Sequence, residues 1–156
     1  NMAYMFYNVT EFNQDIGNWD VSSVTTMRSM FKGCTSFNQD IGDWDVANVT
    51  LRYEMFHTAT AFNQDISDWN IGKETNMYNF LGGSVSTAPT LSTANYNLLL
   101  HHWHAQEPPD SINFGAPNCE ADGSAGSVDG DTARAALVLA TASGGDGWSI
   151  TDKDTP

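Results

Sequence analysis

The chain repeats one short stretch three times, as FNQDIGNWD at residues 12–20, FNQDIGDWD at 37–45 and FNQDISDWN at 62–70. The copies follow one another at a spacing of 25 residues. A fixed period of this size is typical of repeat proteins, in which each unit buries an apolar face only by stacking on the next unit. The repeat therefore predicts a solenoid, an architecture that favours binding over catalysis.

Within each unit, the apolar residues recur in two patterns. Met27, Met30, Phe31 and Cys34 lie at i, i+3, i+4 and i+7, which predicts a short helix in every copy. Alternation across 19–21, and across the same positions of the other copies, predicts a short strand. A strand and a helix in every unit make the strands parallel and the crossovers right-handed. The predicted fold is an α/β, right-handed solenoid of leucine-rich-repeat type, with parallel strands on the concave side.

The repeat unit also resembles a known family. Its pattern, F-N-Q-D-I-G-x-W-D-V-x-x-V-T-x-M-x-x-M-F, is similar to that of the BspA-like leucine-rich-repeat surface proteins over residues 1–84. Residues 85–156 resemble the closing region of that family through Leu91–Tyr96, Trp103, Ala133–Leu137 and Gly147–Asp152. The resemblance implies a non-enzymatic protein, extracellular or at the cell surface, that acts in protein binding or adhesion.

Residues 85–156 are expected to form an α/β cap over the 1–84 solenoid. Thr93 is a plausible N-cap for a helix that reaches about Gln106, because two prolines follow at 108 and 109. The rest of the cap is predicted as a strand at Ile112 and Phe114, a second helix from Asp131 to Ala142, and a last strand at Trp148 and Ile150.

Two features distinguish the ends of the repeat array. Glu74 interrupts the apolar column of Val24 and Val49, as expected for a terminal repeat that meets a different neighbour. At the other end, Asn1 aligns with Thr26, in the middle of a unit. The sequence is therefore expected to be a fragment of a longer chain, or to present an end that docks on a partner.

The acidic composition limits the partners. Six basic and 19 acidic residues give a formal charge of −13, which repels nucleic acid and anionic lipid headgroups. No apolar run is long enough to span a bilayer. We expect a protein or cell-surface partner, with neither nucleic-acid binding nor direct membrane insertion.

The candidate ligand-binding residues are the polar ones that point outward from the predicted strands. Such a surface would bind a cation or a basic ligand, because like charges held side by side need a counterion or a partner. The alternative is that these side chains are simply solvated and prevent edge-to-edge aggregation. The set is Asn18, Asp20, Asp43, Asp45, Asp68 and Asn70.

A second polar set is unchanged in all three copies and is predicted to form a structural ladder. Asn and Asp side chains accept backbone N–H groups in tight turns, and stacked amides bond one another along an array. Calcium bound by the three Asp residues is an alternative; otherwise no cofactor and no metal site is predicted. The set is Asn13, Gln14, Asp15, Asn38, Gln39, Asp40, Asn63, Gln64 and Asp65.

Several isolated signals are weaker. The histidines around Trp103, at 101, 102 and 104, have metal-ligand character but lack a third ligand at a suitable spacing, and Trp103 is expected to face the core. Asp122, Asp129 and Asp131 do not match a calcium loop. Cys34 is predicted to be a buried small residue, and whether it pairs with Cys119 stays open. Two sequons place possible glycosylation at Asn8 and Asn48.

Two functions fit this sequence. One is a binding or adhesion module that uses its concave face. The other is a structural subunit of a larger assembly or filament that docks through its open N-terminal coil, in which case fibres would be visible. No nucleophile, metalloprotease or phosphate-loop motif is present, so catalysis is not expected.

Overall fold

Hydrogen bonds between successive copies organise the molecule. The computed structural model describes residues 1–83, 87–89, 91–106, 113–115 and 149–151. We call residues 1–25, 26–50 and 51–75 copy 1, copy 2 and copy 3. The regular elements of the chain are helix α1 (Thr93–Ala105) and the strands β1 (Asn113–Gly115) and β2 (Ser149–Thr151). The two strands pair in parallel.

Each copy contacts the next in register along its whole first third. The amides of Met2, Tyr4, Phe6 and Asn8 donate to the carbonyls of the residues 24 positions further on, at 2.8–3.0 Å. The same four bonds join copy 2 to copy 3 and copy 3 to residues 76–82. The copies therefore form a continuous stack in which each unit uses the backbone of its neighbour.

The helix predicted in each copy is wrong. Residues 27–34 form consecutive turns, because every second amide donates to the neighbouring copy and only the amides between them bond within the unit. Ser29 adopts a left-handed conformation with φ 50°, as do its equivalents Tyr4 and Glu54, and such a residue ends a right-handed helix. The burial pattern nevertheless holds, since Met27, Met30, Phe31 and Cys34 are fully buried.

The strand predicted across Trp19–Val21 is also wrong. No strand is assigned to residues 19–21, 44–46 or 69–71. Parallel bridges instead join Thr26 to Leu51 and Leu51 to Asn76. The alternating burial at the tryptophans comes from a polar turn that follows each Trp, described below, and not from an extended ladder.

Aromatic side chains stacked from copy to copy fill the core. Phe31 lies 5.7 Å from Phe6 and 5.6 Å from Phe56, ring centre to ring centre and nearly parallel. A second column runs through the phenylalanines that open the FNQD stretches, and Trp44 stacks on Trp69 at 6.4 Å. Each such buried side chain contributes about 1.5–3 kcal/mol, so the repeat distance is fixed by the hydrophobic core as well as by the backbone.

Two charged residues lie inside this core. Arg52 occupies the Met27 column and Glu74 occupies the Val49 column, and both are fully buried. Arg52 forms an ion pair with Glu74 and also donates to the Val46 carbonyl at 3.0 Å. Glu74 therefore has its charged partner within the stack, and the interpretation that it marks a terminal repeat with a different neighbour stays a prediction.

The predicted cap helix is confirmed over Thr93–Ala105, with Ser92 and not Thr93 as the N-cap. Ser92 Oγ accepts from the Asn95 amide at 3.2 Å. The buried face of α1 includes Leu99, Leu100 and Trp103 and belongs to the same hydrophobic cluster as the repeats. The cap and the stack thus share one core.

The two short strands of the cap are confirmed as β1 and β2. Phe114 in β1 packs against Phe80 at 5.9 Å and Trp103 at 5.7 Å. The Gly115 carbonyl accepts from the Leu81 amide at 2.9 Å, so β1 continues the backbone bonding of the stack. The second helix predicted from Asp131 to Ala142, the three Asp residues at 122, 129 and 131, and Cys119 lie outside the described residues.

Candidate binding face

The invariant Asn and Gln residues form a ladder that links the copies. Asn13 Oδ1 accepts from the Asn38 amide at 3.0 Å and from Gln39 Nε2 at 2.9 Å. Asn38 repeats both bonds with Asn63 and Gln64 at 2.9 and 2.8 Å. Each bond contributes about 0.5–1.5 kcal/mol. Because each Asn side chain accepts both a backbone amide and a Gln side chain of the next copy, the bonds hold the copies in register.

Helix α1 takes the place of a further copy on this ladder. Asn63 Oδ1 accepts from the Ser92 amide at 2.7 Å, as Asn13 does from Asn38. The Asn95 side chain donates to Asn63, in the role that Gln39 has on Asn13. The start of α1 therefore reproduces the polar contacts of a repeat and ends the ladder.

The invariant Asp residues form tight turns. Asp15 and Asp40 each accept from the amide two residues on, Gly17 and Gly42, at 3.0 Å. A Cβ on Gly42 would lie 2.7 Å from the Asp65 carbonyl oxygen, and one on Gly17 would lie equally close to that of Asp40, at 2.8 Å. Glycine is thus required where the next copy approaches.

Half of the predicted ligand-binding set has the same turn-forming role. Asp20, Asp45 and Asn70 accept from the amides of Ser22, Ala47 and Gly72 at 3.0–3.1 Å. The Ser22 hydroxyl also donates to Asp20 at 2.6 Å. These hydrogen bonds, first from the side chain and then from the backbone of Ser22, lower the pKa of Asp20. Each of these three side chains therefore has a structural role in its turn, and the expectation that they also bind a ligand stays a prediction.

The other half of the set lies beside the Asp turns. Two adjoining depressions are lined almost entirely by acidic and amide side chains. The first, of about 230 Å³, is lined by Asp15, Gly17, Asn18, Asp40 and Asp43. The second, of about 190 Å³, is lined by Asp40, Gly42, Asp43, Asp65 and Asp68. We call the surface formed by Asp15, Asn18, Asp40, Asp43, Asp65 and Asp68 the carboxylate face.

Negative charge is concentrated on the carboxylate face and little of it is neutralised. Neighbouring hydrogen-bonded backbones lie about 4.8 Å apart, a distance at which like charges repel even in water. Among the described residues, the only basic side chain within 4 Å of a carboxylate on this face is His102, whose Nδ1 lies 3.1 Å from Asp68 Oδ1. Asp43, which borders both depressions, is exposed. The face is arranged to attract positive charge.

The sequence did not predict that two separate sets would meet here. Asp15 and its equivalents were assigned to a structural ladder, whereas Asn18 and its equivalents were assigned to a ligand face. The structure brings them together because the turn at 15–17 places both on the same edge of each copy. Their spacing of three residues in every unit was the signal that could have indicated it.

The structure does not assemble a metal site from these residues or from the histidines. No group of three or more His, Cys, Asp or Glu side chains suited to hold a metal ion occurs in the described part of the chain. His101 is exposed, His102 contacts Asp68, and Trp103 is fully buried as expected.

Asn8 and Asn48, the two sequon residues, differ in their contacts. Both are exposed. Asn48 Nδ2, the atom that a glycan would modify, donates to the Ser22 carbonyl at 2.9 Å, and Asn48 Oδ1 accepts from Lys73 at 2.8 Å. A glycan on Asn48 would replace one of the two Nδ2 hydrogens and would lie directly beside this contact between copies.

Cys34 is a buried free thiol that donates to the Phe6 carbonyl at 3.0 Å. Burial raises the pKa of this thiol to about 11. Cys34 is therefore protonated at neutral pH and is a structural residue with low reactivity.

Among the described residues, no helix is both long and apolar enough to cross a membrane.

Comparisons with known proteins bear on the repeat region. A family model described as "Mycoplasma protein of unknown function, DUF285" matches residues 1–94, which is more than half of the chain. No curated protein matches, and no solved structure matches. The matched range contains all three FNQD copies and the Ser92 N-cap that closes their ladder. The chain belongs to the DUF285 family.

Proposed function

We propose that this chain is a non-catalytic, leucine-rich-repeat-type module that binds a protein partner, or mediates adhesion, outside the cell or at its surface. The stack of copies is then the scaffold, a right-handed solenoid closed by the 85–156 cap. The resemblance of the repeat unit to BspA-like surface proteins supports the location and the class of function. The carboxylate face carries the proposal.

The proposed partner presents Lys or Arg side chains. Asp43 is the central residue because it borders both depressions and forms no hydrogen bond with another described side chain. Asp15, Asp40 and Asp65 keep carboxylate lone pairs available, since a carboxylate has about four acceptor sites and one oxygen accepts the turn amide. A row of fixed carboxylates matches a basic segment laid across the copies.

The test uses an oligolysine peptide as the probe and Asp43→Asn as the variant. Removing one charge at a direct contact costs about 1 kcal/mol in a watery environment, so the Kd should rise about five-fold at low salt. Titration calorimetry at two salt concentrations measures the change. The effect should shrink at the higher concentration because salt screens exposed charges.

The matched control is Glu11→Gln, which also removes one exposed carboxylate but lies outside both depressions. It should leave the Kd nearly unchanged. Equal weakening by both variants would show that the peptide senses only net charge, and the carboxylate face would lose its role. A parallel titration with Ca²⁺ separates a protein-binding face from a cation site, which would bind the metal and not the peptide.

The second hypothesis, a subunit of a filament, has one observation in its favour. Met5, Val9 and Trp19 on copy 1 are 39–46% exposed, although their equivalents in later copies are buried. End-to-end growth of this chain would also need an uncovered copy 3, whereas α1 is bonded to Asn63 there. The binding module is therefore the better-supported proposal.

A further inference from the structure

A row of aromatic and cationic side chains runs along the surface of the copies. The Arg28 guanidinium lies over the ring of Tyr53 at 5.0 Å and over that of Tyr4 at 5.4 Å, measured to the ring centres. Tyr53 in turn stacks on Tyr78 at 5.6 Å, with 24° between the ring planes. We call this surface the arginine–tyrosine column and define it by Tyr4, Arg28, Tyr53 and Tyr78. None of these residues lines the two depressions of the carboxylate face.

The 25-residue period places these side chains together. Arg28, Tyr53 and Tyr78 are equivalent residues of successive units, so the backbone bonds between copies set their side chains next to one another. The equivalent residue in copy 1 is Ala3, and the neighbouring Tyr4 supplies the second ring to Arg28. Arg28 thus has an aromatic contact in each of the copies beside it. Two such contacts hold the guanidinium in place before any ligand arrives.

Arg28 has no counterion in the described part of the chain. Its side chain is exposed, and the salt bridges found there all join other residues. Such an arginine stands out in a chain with 19 acidic and six basic residues. A guanidinium carries five N–H donors, and contacts with aromatic rings leave donors at its edge for an acceptor.

The ionisable side chains nearest in sequence to the column do not change this charge. Lys32 forms an ion pair with Glu54 at 2.7 Å, so these two charges cancel. Burial, and then the charge of Lys32, lower the pKa of His57, which is therefore uncharged at neutral pH. The net charge of this part of the surface is thus that of Arg28 alone.

We propose that the arginine–tyrosine column is a second binding surface, which takes a carboxylate side chain from an acidic segment of a partner protein. The carboxylate would accept two parallel N–H bonds from Arg28, because a guanidinium and a carboxylate match in this geometry. The Tyr78 ring is 43% exposed and offers apolar area to the residue beside that carboxylate. Tyr and Arg are the residue types that most often dominate the binding energy of protein interfaces.

A carboxylate fits this surface better than a phosphate group. Arg28 balances one negative charge, whereas a phosphate ester carries close to two at neutral pH. Glu54 follows Tyr53 directly in the chain and would repel the excess charge. The chain would then have two faces of opposite preference, one for basic groups of a partner and one for acidic groups.

The experiment titrates the full chain with the blocked peptide acetyl-Ser-Leu-Glu-Leu-Ser-amide and, in parallel, with the same peptide carrying Gln in place of Glu. NMR shifts of the Arg28 Nε–H group and of the Tyr53 and Tyr78 rings report binding at the column. We expect the Glu peptide to bind about five-fold more tightly, the factor expected for one charge pair in a watery environment. Arg28→Gln should abolish this preference. Arg28→Lys should keep only part of it, because an ammonium group lacks the planar fork.

The matched control is Lys73→Gln, which removes another exposed positive charge outside the column and should leave the preference for Glu unchanged. Asp43→Asn should also leave it unchanged, so that this surface and the carboxylate face are tested separately. Equal binding of the two peptides, a preference lost with Lys73→Gln, or no binding at millimolar peptide would overturn the proposal.

Two further measurements distinguish other sources of negative charge. Inorganic sulfate, titrated in the same way, should bind more weakly than the Glu peptide, and tighter binding of sulfate would overturn the assignment to an acidic peptide. Sedimentation of the unmodified chain should show no dimer that depends on Arg28. A dimer that disappears in Arg28→Gln would assign the carboxylate to a second copy of this chain and would also overturn the proposal.

Discussion

At the scale of single residues, Arg52 and Glu74 each place a charge in an otherwise apolar column of the core, and the two charges pair with one another. A lone buried charge is strongly unfavourable, and a buried pair is better tolerated when most of its other polar groups are bonded, as they are here apart from Arg52 Nε. Glu74 accepts from the amides of Thr75 and Asn76 at 3.2 and 3.0 Å, besides its ion pair with Arg52. The two departures from the apolar columns therefore compensate one another.

A double-mutant cycle tests this pairing. Arg52→Met and Glu74→Val each restore the residue type of the neighbouring copies but leave the other charge buried and alone. Each single variant should lose about 3–5 kcal/mol of unfolding free energy. The double variant should be neutral or more stable than the original chain by about 1–4 kcal/mol. Denaturant unfolding monitored by circular dichroism measures all four proteins, and additive losses would contradict the pairing.

The pH dependence of Arg52→Met provides an independent control. Burial raises the pKa of Glu74, and the Arg52 charge opposes that shift. Without Arg52 the folded state holds Glu74 more readily in its protonated form. A raised folded-state pKa means that stability is retained below the ordinary Glu pKa and lost as pH rises through the raised value. The defect of Arg52→Met should therefore be smaller in acid than at neutral pH.

At the scale of elements, the sequence predicted which residues are buried better than it predicted the backbone that buries them. The i, i+3, i+4, i+7 spacing of Met27, Met30, Phe31 and Cys34 fits a helix, but it equally fits a series of turns. What decides between them is the neighbouring copy, which takes every second amide. Such competition between copies is not encoded in the periodicity of one unit.

The cap was more predictable because its signals are local. Helix α1 carries its own apolar positions and ends shortly before the prolines at 108 and 109, so its bounds follow from nearby residues, although the N-cap is Ser92 and not Thr93. The carboxylate face was only half predictable. The residue pattern predicts ligand-binding roles for Asn18 and its equivalents but only a turn-forming role for Asp15 and its equivalents. That both sets line the same depressions depends on backbone geometry that the residue types do not fix.

The turn of each copy yields a prediction with a natural control. Gly42 lies where a Cβ would come 2.7 Å from the Asp65 carbonyl oxygen. Copy 3 has Ser67 at the equivalent position, and no fourth FNQD stretch follows it in the sequence. Gly42→Ala should therefore destabilise the chain by about 1–3 kcal/mol through overpacking. Ser67→Ala keeps the Cβ that this buried position already carries and should change stability by less, at most about 1 kcal/mol.

Denaturant unfolding of Gly42→Ala and Ser67→Ala under the same conditions measures this difference. The comparison tests the approach of the next copy, because the two residues have the same kind of turn. The Gly42 amide donates to Asp40 Oδ1, and the Ser67 amide donates to Asp65 Oδ1. A loss of less than about 0.5 kcal/mol for Gly42→Ala would contradict the prediction, because the Asp65 carbonyl would then tolerate a Cβ at residue 42.

At the scale of the whole molecule, the stack is asymmetric. One end is closed by α1, β1 and the aromatic cluster of Phe80, Trp103 and Phe114. At the other end, copy 1 has a neighbour on one side only among the described residues. In a repeat protein, stability is approximately a sum of unit and interface contributions. Copy 1 should therefore open more easily than the copies that follow it.

Native-state hydrogen exchange can compare three equivalent amides. Tyr4, Ser29 and Glu54 all have a left-handed φ of 50–61° and all donate to the next copy at 2.9 Å. Local bond geometry therefore does not distinguish them, and only their position in the stack does. We expect Tyr4 to exchange fastest, because local opening needs to disrupt only the interface with copy 2. Equal protection at all three would mean that the stack opens as one cooperative unit, and copy 1 would then have no separate instability.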